Sequence, residues 1–175
     1  LHDWHTAAIF LLRELHPAFA KLKGVRTLFT VHNLAIQGTR PIRGGFSSVE
    51  KWFPELFKSA SWINDWLDPQ WKDPCFNPML AGIRHADHVN TVSPGYAEEI
   101  LRSSNHANGF YGGEGLEHAL RDKKDKGALH GILNGCEYPE QTPGRGRDPR
   151  HFIGHLMQTV DLEKDVIGPP AVRRT

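Results

Sequence analysis

The stretch Arg26 to Gly38, RTLFTVHNLAIQG, constrains the fold of this chain more than any other. Thr27 to Val31 is β-branched and aromatic with almost no polar alternation, the pattern of a strand buried on both faces of a parallel sheet. The run ends in His32 and Asn33, then Gln37 and Gly38. In open α/β sheets, ligands sit outside the carboxyl ends of strands, which places His32 and Asn33 within reach of one. A His-Asn pair that only caps a loop has the same spacing, and the residues alone leave both readings open.

The segments on either side complete an α/β pattern. Leu1 to His5, LHDWH, reads as the exit of a strand whose body is missing, so the chain is expected to be a fragment of a longer enzyme. Ala8, Leu11, Leu12, Leu15, Phe19 and Leu22 recur at helical spacing, Pro17 breaks or restarts that helix near His16, and Gly24 stops it. With the strand that follows, this is a βαβ crossover. Gly38 to Ser47 is a Gly-, Pro- and Arg-rich loop, and Val49 to Phe57 a short helix. The segment after it is irregular and carries Trp62, Trp66 and Trp71; such aromatics pack a core or lid, or stack on sugar rings. Asn77 to His85 is a helix with Met79, Leu80 and Ile83 inward, and Ala86 to Val92 a second buried strand ending at Ser93-Pro94-Gly95. A helix over Tyr96 to Arg102 would carry Glu98 and Glu99 in its favourable first turn. The loop GFYGGEG, Gly109 to Gly115, opens onto a charged helix, Leu116 to Lys124, and has the wrong spacing for a dinucleotide fingerprint. Leu129 to Leu133 is a third strand, ending at Asn134-Gly135.

Two domains are expected, 1–138 and a divergent basic linker or tail over 139–175, within which 151–164 has the spacing of an amphipathic helix. A formal net charge of +1 with dispersed Lys and Arg argues against a nucleic-acid partner. No run approaches the ~18 apolar residues of a membrane span. The two cysteines, Cys75 and Cys136, lie far apart, for which a reducing, cytoplasmic setting is the default.

Parallel strands would bring four ends to one edge: Asp3 and His5, His32 and Asn33, Ser93, and Asn134. One carboxylate, two imidazoles and neutral hydrogen-bonders suit a polyhydroxylated ligand better than a phosphate, which wants Arg and Lys. A metal site from His2, Asp3, His5 and His32 has no ligand-motif spacing. A Ser93, His32 and Asp3 triad lacks the nucleophile elbow. Glu114 and Glu117, read as a glycosidase pair, are better explained as a solvated helix face.

Four motifs then occur in order: HDWH at His2 to His5, TVHNLAIQG at Thr30 to Gly38, ADHVNTVSPGYAEEI at Ala86 to Ile100, and YGGEGLEHALRDKKDKGALHGILNG at Tyr111 to Gly135. Over about Leu1 to Tyr138 the chain resembles the N-terminal catalytic domain of the starch/glycogen synthase family of glycosyltransferases (family 5). The resemblance implies an α/β fold, one parallel-sheet Rossmann-like half of a GT-B glycosyltransferase, here truncated at both ends. It also implies transfer of glucose from ADP-glucose to the non-reducing end of an α-1,4-glucan, with retention and with neither metal nor cofactor. Matched residue by residue, His32 is the implied catalytic histidine, and Asp3, Trp4, Asn33, Gln37 and Asn134 the implied substrate-binding residues. The family's Lys-x-Gly-Gly donor loop and its second domain have no counterpart here, nor do the Asp after Asn-Gly and the Trp-x-Pro beyond it. An isolated chain of this kind is therefore expected to be inactive and, with a truncated sheet edge, to self-associate.

Overall fold

The computed structural model describes residues 1–58 and 61–134. The tail expected over 139–175 and the helix expected over 151–164 lie outside the described residues. A parallel sheet is formed by β1 (Leu28–Val31), β4 (His88–Thr91) and β5 (Leu129–Gly131), in the order β1-β4-β5. His2 bridges Thr30 in parallel on the free side of β1, and the Thr30 N–H donates to the Leu1 carbonyl at 2.8 Å. A two-residue antiparallel pair, β2 (Arg40–Pro41) with β3 (Cys75–Phe76), lies apart from it. The longer helices are α1 (Asp3–Leu15), α3 (Pro78–His85), α4 (Pro94–Glu99) and α5 (Glu117–Asp125), with a single turn, α2, at Val49–Trp52. Among the described residues no helix is long and apolar enough to cross a membrane.

The parallel α/β class agrees with the sequence reading, but β1 is not buried on both faces. Phe29 and Val31 are fully buried, whereas Leu28 is 47% exposed. The reason is one-sided cover. Phe29 meets Phe10 of α1 edge-on, with ring centres 6.1 Å apart, and Gly82 of α3 lies against the same ring. On the opposite face the Thr30 hydroxyl donates to Asn90 Oδ1 at 2.8 Å. Beside them His88 and His130 face each other, Nδ1 to Nε2, at 2.9 Å.

Several boundaries moved for local reasons. α1 starts at Asp3 and buries Ala7, Phe10 and Leu11, so His5 is a first-turn helical residue and not a strand end. Pro17 restarts the chain as a 3-10 turn, Pro17–Leu22, and Pro54 likewise ends α2 at Trp52. α4 begins at Pro94, because the Ser93 hydroxyl accepts the Tyr96 N–H and proline suits a first helical position. Glu98 and Glu99 therefore fall in its last turn, where the helix dipole disfavours acids, and Lys124 pairs with Glu98 at 2.6 Å. Trp62 and Trp66 are core residues: Trp62 Nε1 donates to the Leu56 carbonyl at 2.9 Å, and Trp66 stacks on His85 at 4.1 Å.

Two outcomes follow from this packing. A Cβ on Gly82 would lie 2.4 Å from the Phe29 ring, and a fully buried ring has no room to retreat. Gly82→Ala is expected to destabilise the fold by about 1–3 kcal/mol in urea unfolding. Burial first, then the charges of Arg84 and Arg13, holds the His85 pKa below its ordinary 6.5. The unfolded chain thus binds this proton at a higher pH than the folded one. Stability from a neutral His85 is present above pH 6.5 and is lost as pH falls below it through the lowered folded-state pKa. Thermal unfolding followed over that range should show the loss, and His85→Phe, which keeps a ring against Trp66, should reduce it.

Candidate functional site

β1 ends at Val31, and the next residue leaves the sheet into an open edge. The His32 N–H donates to Asp3 Oδ1 at 2.8 Å, and His32 Nε2 faces His2 Nδ1 at 3.0 Å. Asp3 adopts a left-handed backbone, φ 47°, a conformation that costs an L-residue about 1–2 kcal/mol. It places the carboxylate at the head of α1 beneath His32. Asn33 Oδ1 accepts the Ala35 N–H at 2.8 Å, closing an Asx turn that leads the chain across the sheet edge.

Beyond that turn lie two cavities. One, of about 360 Å³, is lined by His32 and Asn33 together with Tyr96, Glu99, Tyr111 and Glu114. The other, of about 440 Å³, is lined by Ile36, Gln37, Thr39, Gln70, Trp71 and Glu114. Ala35 and Glu114 belong to both walls. Neither lining includes a lysine or arginine, so both cavities offer hydroxyl-binding groups rather than an anion clamp.

A buried polar chain holds the loops in place. Asp68, 2% exposed, accepts the Gln70 N–H at 3.0 Å on one oxygen and Asn77 Nδ2 at 2.7 Å on the other. Asn77 Nδ2 also reaches Gln37 Oε1 at 2.6 Å, while Asn77 Oδ1 caps α3 through the Leu80 N–H. Gln37 Nε2 then donates to the Glu114 carbonyl at 2.8 Å. The network fixes which way the Gln37 amide points and ties the Gln37 loop to the glycine-rich loop.

Glu114 is the main departure from the sequence reading. It precedes α5, has a left-handed backbone with φ 50°, and exposes 16% of its side chain. Its carboxylate accepts Ser104 Oγ at 3.0 Å and contacts His106 Nε2 at 2.8 Å. Glu114 is therefore no solvated helix position. Glu117 does lie on α5, and its Oε1 accepts the Ser103 hydroxyl at 2.6 Å. Burial works to raise its pKa, but hydrogen bonds from Ser103 and backbone N–H groups, with Arg121 nearby, hold it below the usual range.

Other expected residues are more dispersed. Trp4 is half-buried and supports Gly38 from behind: with φ 71° at that glycine, a Cβ would sit 2.3 Å from the indole. Asn134 is exposed beyond β5, its N–H on the Val92 carbonyl, and lines neither cavity. His5 stacks on Trp4 at 4.0 Å, away from the His2–His32 pair, and among the described residues no three His, Cys, Asp or Glu converge as metal ligands. The Ser93 hydroxyl is taken up as the α4 cap. Tyr96, whose hydroxyl accepts the Leu34 N–H at 3.3 Å and whose pKa burial raises, was missed in the sequence, as was Glu99.

The parallel α/β sheet, with polar residues at its strand ends, agrees with the Rossmann-like half of a GT-B glycosyltransferase that the resemblance implies. The catalytic domain of starch synthase IV from Arabidopsis thaliana, bound to ADP and acarbose, superimposes with a TM-score of 0.57 at 24% identity, over 94% of this chain and 33% of that one. The starch synthase catalytic domain family model matches residues 1–122, and the chain belongs to that family. Among curated relatives, a glycogen synthase of Streptococcus equi subsp. equi is 34% identical over 99% of this chain and 31% of its own length. Those of Anaeromyxobacter sp. and Desulfitobacterium hafniense are 38% and 39% identical, over 84% and 81% of this chain, each over 27% of its own length. The chain thus spans less than a third of the curated relatives it matches.

Proposed function

We propose that this chain forms part of the sugar-transfer cleft of a glycogen synthase, which moves glucose from ADP-glucose to the non-reducing 4-OH of an α-1,4-glucan with retention. The observation that carries this reading is His32-Asn33 at the end of β1, opening into a cavity lined by hydroxyl-binding groups in a chain of the starch synthase family. The names of its glycogen synthase relatives, and the ADP and acarbose bound by the Arabidopsis domain, support the choice of substrates.

In this reading His32 contacts the glucose being transferred, and its imidazole hydrogen-bonds the sugar as the anomeric carbon gains oxocarbenium character. Asp3 acts through His32 by holding its backbone. Asn33 and Gln37, which line the two cavities, complete the substrate-binding set, with Trp4 acting from behind Gly38 and Asn134 outside both cavities. Retention without a paired carboxylate nucleophile implies a front-face route, in which the departing phosphate helps to deprotonate the acceptor. Neither cavity supplies a cation for that phosphate, so the second wall of the cleft is assigned to another part of the whole enzyme. The setting that goes with this reading is a reducing cytoplasm.

Glucosyl transfer from radiolabelled ADP-glucose to glycogen tests the proposal, with this chain assayed beside a version extended at both ends. Only the extended protein is expected to incorporate label; no incorporation by either defeats the reading. In the extended protein, His32→Ala should lower kcat by about 100-fold or more with a smaller change in KM. An unchanged kcat removes the role given to His32.

The same reading includes self-association of the chain on its own. Leu28 on β1 and Ile132 and Leu133 just past β5 expose 47%, 54% and 72% of their surface, and exposed apolar side chains at the ends of a short sheet favour association. Sedimentation velocity should show a coefficient that rises with concentration. A constant monomer value counts against it.

A further inference from the structure

We infer that His2 is a positioning residue that fixes the tautomer of His32, leaving His32 Nδ1 as a bare acceptor for a sugar hydroxyl; the inference rests on the glucosyltransferase reading above. The two rings meet through one nitrogen each, His2 Nδ1 and His32 Nε2, at 3.0 Å. Their centres lie 5.3 Å apart, which is that separation plus the two ring radii, so the nitrogens point almost straight at each other. Two facing imidazole nitrogens form a hydrogen bond only when one carries a proton and the other does not.

The head of α1 is given over to holding His32. His2 occupies the N-cap position of α1, where Ser, Thr, Asp or Asn usually bond the free N–H groups of the first turn, yet its side chain makes no cap bond. Its backbone is pinned instead. It bridges Thr30 in parallel, its N–H donates to Thr6 Oγ1 at 2.8 Å, and its carbonyl accepts the same hydroxyl at 3.0 Å. Asp3, the next residue, turns its carboxylate to the His32 N–H from a left-handed backbone. Two consecutive residues thus hold one histidine, Asp3 by its main chain and His2 by its ring.

The pairing of unlike nitrogens selects the tautomer. A neutral imidazole in water favours the Nε2–H form, and the form kept in a protein is set by the partner of the other nitrogen. With both rings in the Nε2–H form, His32 has a proton to donate and His2 Nδ1 a lone pair to receive it, which is the contact observed. The reverse bond requires both rings to adopt the less favoured Nδ1–H form. His32 therefore donates from Nε2 to His2, and its other nitrogen is left without a proton. For a ligand in the cavity that His32 lines, that nitrogen accepts from a hydroxyl and cannot donate to one. A second pair, His88 Nδ1 with His130 Nε2 at 2.9 Å, lines neither cavity and serves as an internal control.

The test is ring-nitrogen NMR of this chain with isotope-labelled histidine. Protonated and bare ring nitrogens differ widely in shift, and a coupling across the hydrogen bond identifies the partner. His32 is expected to carry its proton on Nε2, coupled to His2 Nδ1, with its own Nδ1 bare. His2→Ala and His2→Phe should abolish the coupling and open the Nε2 proton to exchange with water. His2→Asn, which offers an oxygen near the place of Nδ1, should keep that proton protected. A proton on His32 Nδ1, or no coupling to His2 in the wild-type chain, overturns the inference. In the extended protein, His2→Ala and His2→Phe should lower kcat about tenfold, the effect of one hydrogen bond, with a smaller change in KM. His2→Asn should recover most of that loss, and His88→Phe, which breaks the control pair, should leave kcat and the His32 signals unchanged. Wild-type kcat in His2→Phe, or an equal loss in His88→Phe, overturns the positioning role. The expected spectrum without transfer by the extended protein defeats the glucosyltransferase reading alone, because the tautomer is read without turnover.

Discussion

The fold depends on what happens around Phe29. Its ring is fully buried, meets Phe10 edge-on, and lies against the bare backbone of Gly82. Through this one side chain β1, α1 and α3 are locked to each other. The close approach works only because residue 82 has no Cβ. Everything at the sheet edge inherits its position from that contact, since His32 follows β1 by one residue and Asp3 begins α1. The 2.8 Å bond between them joins the two ends of elements already fixed below.

The loops beyond the edge have little apolar cover and are held differently. Asp68, Asn77 and Gln37 form a run of short hydrogen bonds, which ends on the glycine-rich loop at Glu114. Asp68 and Asn77 are each 2% exposed, so the run is shielded from competing water and its members have few alternative partners. Such a network gives loops a rigidity that sheets obtain from their ladders. It also ties together the loops of Gln37 and Gln70, which line one cavity.

The sequence made the parallel sheet and the position of His32 just past a strand end legible, because a short β-branched run ending in polar residues is typical of a strand in an α/β chain. It misjudged details where one residue had two local meanings. Pro94 read as part of a turn, but after Ser93 it starts a helix, so Glu98 and Glu99 moved from the first turn to the last. Leu28 and Phe29 are equally apolar in sequence, and only the placement of α1 and α3 decides which is covered. Glu114 was hidden for a different reason: its role depends on a left-handed backbone and on Ser104 and His106, which no periodicity records. The tryptophans were recognisable as a group, yet Trp71 was not separable from Trp62 and Trp66 without burial.

Glu114 stands in the partition between two cavities, and a partition is shared by the rooms on both sides. Its backbone carbonyl is bonded to Gln37, while its carboxylate is bonded to Ser104 and His106. Anything that displaces it from one side alters the shape offered on the other. Occupancies linked through a common wall obey reciprocity: if filling the first changes affinity at the second by some factor, filling the second changes the first by that same factor. Coupling between ligands in the two cavities would then need no distant signal, only one carboxylate-bearing residue set in a strained turn.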